Sequence, residues 1–168
     1  MRRIGITDIA KNGIWLTFPP LLLSLSFMSH LPAALTPALF NKDIPDVLVN
    51  GESIVRILVF AMPAFFSIGM STKSQKRGLV LYLVGVALYY LSYGALIIFP
   101  GSAWSTSMIG FVATAYTNLF WMIGLGLLGE TFYFQARLRY RPVMFIAPAA
   151  IVLILHITHA IIVYQRSF

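Results

Sequence analysis

The sequence has no cysteine, few charges and almost no acid. Without cysteine it has no disulfide, no thiolate nucleophile, no cysteine-ligated zinc and no iron–sulfur cluster. Only 10% of its residues are charged, against about 25% in soluble domains, and 59% are hydrophobic. That composition predicts an all-α integral membrane protein, with 168 residues forming one bundle and no separate soluble domain. Five acids against twelve lysines and arginines give a net charge of +7. The basic residues fall in short segments between apolar runs, where orientation signals belong, so the excess does not point to nucleic acid. Phosphate-loop, dinucleotide and nucleophile-elbow motifs are missing as well.

What is present is a series of apolar runs. The last, residues 142–164, has no formal charge and would span about 34 Å as a helix, enough for a hydrocarbon core of about 30 Å. Earlier runs predict spans near 13–29, 53–70, 79–99 and 103–129, making five transmembrane helices. The basic start MRRIGITDIAKN resembles a secretory leader, but Pro19–Pro20 and the ending SFMSHLP make a poor cleavage site, so 13–29 is read as a retained, kinked span. Residues 30–51 read as a water-facing loop, with LPAALTPALF along the interface and a turn at Asn50–Gly51 before a helix beginning near Glu52–Ser53. STKSQKRG, at 71–78, reads as a polar loop. No internal repeat is evident.

Charge placement sets the expected orientation. With the N-terminus inside, the inner segments hold Arg2, Arg3, Lys11, Lys73, Lys76, Arg77, Arg137, Arg139 and Arg141, and the outer side only Lys42, Arg56 and Arg166. Nine against three predicts a cytoplasmic N-terminus, an extracytoplasmic C-terminus and a plasma-membrane location, the cell inner membrane in a Gram-negative bacterium.

That orientation puts every histidine in the outer half, together with Glu52 and Arg56. Helical spacing gives each of the last four spans one small or polar face: Glu52 and Arg56; Tyr82, Gly85, Tyr89 and Tyr93; Thr114, Thr117 and Asn118; Val152, His156 and His159. Meeting faces would enclose a polar pocket open to the outer leaflet. The expected function is binding, with translocation as an extension, of a small or lipid-like molecule. Its ligand-binding residues would be Glu52, Arg56, Tyr89, Tyr93, Asn118, His156 and His159, with Arg56 offered to an anionic group and the tyrosines to an apolar body. Partners would be membrane lipids and that ligand, with a homo-oligomer left open. The pattern calls for no cofactor.

Plainer uses compete with this reading. Small residues let membrane helices pack closely, Glu52 and Arg56 have the i, i+4 spacing of a local ion pair, and the histidines can bond to tyrosines or carbonyls. Two other functions fit the same residues. His156 and His159 at i, i+3, with His30 or Glu52 as a third ligand, would suit zinc or another transition metal in a membrane hydrolase. The chain would otherwise be an accessory subunit of a larger membrane complex.

Overall fold

A computed structural model of the chain describes residues 9–133 and 139–168; Arg2, Arg3 and Arg137 of the charge count lie outside them. The description is of helices and one short strand pair. A 3-10 turn, Gly13–Thr17, leads into α1 (Phe18–Phe27). Residues 28–36 contain two further 3-10 turns, followed by α2 (Pro37–Phe40). The longer elements are α3 (Asp46–Ala61), α4 (Lys73–Ile98) and α8 (Val143–Ser167). Between α4 and α8 lie α5 (Met108–Phe111), α6 (Ala113–Tyr116) and α7 (Asn118–Leu128). Strands β1 (Phe66–Ile68) and β2 (Gly129–Phe132) pair antiparallel.

Three helices are long and apolar enough to cross a membrane: Asp46–Phe65, Lys73–Ile98 and Val143–Ser167. The 26 residues of α4 span about 39 Å and the 25 of α8 about 37 Å. Their outward faces carry Ile54, Leu58, Leu83, Leu91, Ile151 and Ile154, all exposed. Water would penalise that surface and lipid would not, so the fold is that of a membrane-embedded helical protein.

Several boundaries differ from the sequence expectation. Asn50 and Gly51 make no turn: α3 begins at Asp46, behind Pro45, and Glu52 lies inside it. Proline's fixed φ suits a helix start, and Asp46 faces the positive end of the helix dipole. The stretch 71–78 is mostly helix, because Thr72 and Gln75 form a reciprocal capping box that starts α4 at Lys73. Pro19 and Pro20 occupy the first turn of α1, where a missing N–H costs little, so they begin the helix instead of kinking it. The expected fourth span is broken into α5, α6 and α7, and the second ends in a 3-10 turn, Met62–Phe65, and β1.

The β1–β2 pair was not expected. Phe66 pairs with Phe132 and Ser67 with Thr131, whose hydroxyls lie 2.8 Å apart. Asn12 bridges to Ser67, which brings residues 9–13 to the same end of the molecule. Phe66, Tyr140 and Phe145 form an aromatic core there, Phe66 lying 4.8 Å and 5.9 Å from the other two ring centres.

Packing sets the helix directions. Glu52 and Arg56 of α3 meet His159 and His156 of α8 in reverse order, so these two helices are antiparallel. The buried residues of α4 are Gln75, Gly78, Tyr82, Gly85, Tyr89, Ser92 and Leu96, spaced alternately three and four apart. That is a heptad seam, and its small members let α7 approach backbone to backbone. A Cβ on Gly78 would come 2.9 Å from the Gly124 carbonyl, and one on Gly85 would come 2.7 Å from the Phe120 carbonyl carbon.

These connections give the molecule two ends. One carries the strand pair, the starts of α4 and α8, and Lys11, Lys73, Lys76, Arg77, Arg139 and Arg141. The other carries the start of α3, the end of α8, and Lys42 and Arg166, with the Arg166 guanidinium donating to the Leu39 and Lys42 carbonyls.

Candidate functional site

Towards the Arg166 end, the bundle forms a half-open cavity of about 510 Å³. Glu52, Arg56, Tyr89, Tyr93, Asn118, His156 and His159 all line it, so the structure brings the seven expected residues to one place. Four helices, α3, α4, α7 and α8, supply them. Apolar side chains complete the wall, among them Leu21, Leu25 and Met28 of or beside α1, Ile57 and Phe60 of α3, and Met122 of α7.

Glu52 is the centre of the polar part. Its side chain is 4% exposed, yet three cationic or protonatable groups converge on it. Oε1 meets the Arg56 guanidinium and lies 2.8 Å from His156 Nδ1. Oε2 lies 2.8 Å from His159 Nδ1. Glu52 sits about 9 Å along α3 from Asp46, and His159 about 12 Å from the end of α8. A carboxylate at that depth is tolerable only with such partners.

The other polar groups differ in what they leave available. Arg56 reaches the cluster through Nη2, which also lies 3.2 Å from His156 Nδ1. Its Nε and Nη1 have no hydrogen-bond partner among the described residues, and its side chain is 44% exposed. Tyr89 donates to the Tyr93 hydroxyl at 3.3 Å, leaving the Tyr93 proton for another acceptor. Asn118 is already engaged: its amide nitrogen donates to the Thr114 and Ala115 carbonyls, and its oxygen accepts from Trp121 Nε1 at 2.7 Å. It therefore shapes the wall and fixes Trp121.

His30 is not part of the cluster. It is exposed near the end of α1, bonded to Ser29 and edge-on to Phe27. A three-histidine metal set is therefore not assembled here, and no group of three or more metal-type side chains stands ready among the described residues. The two histidines of α8 make bonds of the plainer kind, to a carboxylate and a backbone carbonyl.

Residues 31–41 are a contributor that the sequence did not mark. Leu31, Leu35, Pro37, Phe40 and Asn41 line the cavity, so the stretch expected along the interface covers the site. Phe40 stacks on His159 with ring centres 4.0 Å apart and accepts from His159 Nε2 at 3.0 Å. Its apolar run, broken by two prolines, was the only available signal.

The fold and site together define a membrane-embedded helical protein with a half-polar, half-apolar cavity beside a buried acid. No protein-family model matches the chain, and no curated protein or solved structure matches it either.

Proposed function

We propose that this chain is a five-span plasma-membrane protein that binds a small or lipid-like molecule in the cavity around Glu52 and Arg56, with translocation as an extension of binding. The observation that carries the reading is the convergence of seven polar or aromatic side chains, from four helices, on one cavity of about 510 Å³. Pockets that hold ligands of drug or cofactor size run from about 300 to 1,000 Å³, mostly apolar with a few fixed polar groups. The wall described above has that character.

The segregation of lysines and arginines supports the orientation. Six basic residues at the strand-pair end would face the cytoplasm, and the cavity would then open towards the outer leaflet. α1 and the broken α5–α7 segment would supply the two crossings beyond the three long helices. The chain has no cysteine, so single cysteines can report both points.

Binding is tested by native mass spectrometry and thermal melting of the purified chain, with Arg56→Leu as the variant. A bound lipid or amphiphile that raises the melting temperature, and is lost in Arg56→Leu while the variant still inserts and folds, is the expected result. A chain with no retained molecule and no melting response to lipids or amphiphiles would refute the reading.

A further inference from the structure

We infer that the molecule held in this cavity is a monoanion with an apolar body, such as a long-chain carboxylate, and that the site is built to balance one negative charge. The inference rests on the binding reading above and names its ligand class.

It begins with the hydrogens that the contacts require. His159 Nε2 faces the Phe40 carbonyl at 3.0 Å, and Nδ1 faces Glu52 Oε2 at 2.8 Å. A carbonyl only accepts and an ionised carboxylate only accepts, so each contact needs a hydrogen. A neutral imidazole carries one. The second lies between Nδ1 and Oε2, and on either atom it leaves the His159–Glu52 pair neutral as a whole. His156, as a neutral ring, donates through Nδ1 to Oε1 at 2.8 Å, so Arg56 Nη2, itself a donor, gives its hydrogen to Oε1 and only passes Nδ1 at 3.2 Å. Arg56 retains its charge at any ordinary pH.

The four groups therefore sum to one positive charge. No other acidic, lysine or arginine side chain among the described residues lines the cavity. Arg56 is only partly exposed, and an anion from outside that reaches its free donors balances the charge more directly than the solvent on its open side. The geometry offers donors for it: Nε and Nη1 of Arg56, on different edges of the guanidinium, each keep hydrogens to donate, and the Tyr93 hydroxyl retains a proton to donate. The same cavity is lined by Leu21, Leu25, Met28, Ile57 and Phe60, which have no use for a compact inorganic ion but suit a hydrocarbon chain. Polar head and apolar wall thus select an amphiphile of one charge.

The test uses the full chain in nanodiscs of neutral lipid, at about pH 8, with probes of matched length. These are palmitate, hexadecanol, hexadecyltrimethylammonium and hexadecyl phosphate, which is close to a dianion at that pH. Butyrate separates a soluble acid from a lipid-like one. Palmitate is expected to bind at least tenfold tighter than the alcohol, the ammonium and the phosphate. The preference should collapse in Arg56→Gln and survive in Arg56→Lys, with melting curves confirming that both are folded. Hexadecanol or the ammonium binding as well as palmitate would overturn the charge inference while leaving the binding site in place. Tighter hexadecyl phosphate would overturn the count of one charge. Butyrate binding as well as palmitate would overturn the apolar body. If no probe binds, both this inference and the reading beneath it fail.

Discussion

Substituting Glu52 by Gln changes little in shape and much in charge. The carboxylate accepts on both oxygens, from Arg56 and His156 on one and His159 on the other. A glutamine turned with its oxygen towards Arg56 and His156 sets its NH2 against His159 Nδ1, which accepts once His159 keeps its single hydrogen on Nε2 for the Phe40 carbonyl. No donor is orphaned, but the contacts lose their charge assistance, worth about 1.5–2 kcal/mol. The loss of charge opposite Arg56 adds little, since that side chain is 44% exposed and can be solvated. A total near 2 kcal/mol is expected for Glu52→Gln. The decisive quantity is the coupling to His159. In a double-mutant cycle with His159→Gln, the two changes should be non-additive by about 1.5 kcal/mol, towards the upper end for polar pairs in membranes. Unfolding in mixed micelles can be followed by tryptophan fluorescence, because Trp121 is buried beside the cavity. Tyr140→Phe belongs to the core at the opposite end and should be additive with Glu52→Gln to within about 0.5 kcal/mol. A coupling between Glu52 and His159 below about 0.5 kcal/mol would show that they share no proton, and the charge count would fail with it.

Three further outcomes follow from the packing. Gly85→Ala should destabilise by about 1–3 kcal/mol, since its methyl would press on the α7 backbone, whereas Gly94→Ala, which meets nothing within 4 Å, should be neutral or stabilising by up to about 1 kcal/mol. Paired melting curves decide this, and equal effects would refute the seam. For topology, a membrane-impermeant thiol reagent should label Ser167→Cys in intact cells and Ser74→Cys only after permeabilisation; labelling of both from one side would refute the five-span arrangement. Lastly, burial pushes the Tyr140 phenol above its ordinary value near 10 while it donates to the Gly126 carbonyl at 2.8 Å. An acid whose folded pKa is raised releases its proton first in the unfolded chain, so its stability contribution is lost as pH rises above about 10. Tyr140→Phe should lower stability by about 1 kcal/mol at neutral pH and flatten the alkaline decline, as measured by melting across pH.

The site was more legible than the path of the chain. His156 and His159 share a face by spacing alone, and Glu52 and Arg56 share another, so convergence required only that two polar faces avoid lipid. The element boundaries depended on contacts that spacing does not show. Asn50–Gly51 has turn chemistry, yet Pro45 and Asp46 start a helix that runs through it. The pairing of β1 with β2 joins residues more than sixty positions apart, beyond the reach of any local pattern. His30 looked equivalent to the other two histidines by type, but it lies beyond α1 on the surface. The role of Phe40 was invisible because its backbone oxygen carries it, and a carbonyl is common to every residue.

The glycine seam also limits how the cavity can change size. Two helices that touch through backbone atoms cannot slide by a residue, because the next side chain along would collide with the opposite main chain. α4 and α7 must then travel as one plank, holding Tyr89, Tyr93 and Asn118 at fixed spacing. The other side is fastened differently: residues 39–42 are tied to α8 by carbonyl oxygens that accept from His159 and Arg166. Such ties can be exchanged for water one at a time. An entering molecule would therefore displace the covering segment and leave the plank where it is, and the residues that admit it would differ from those that measure it.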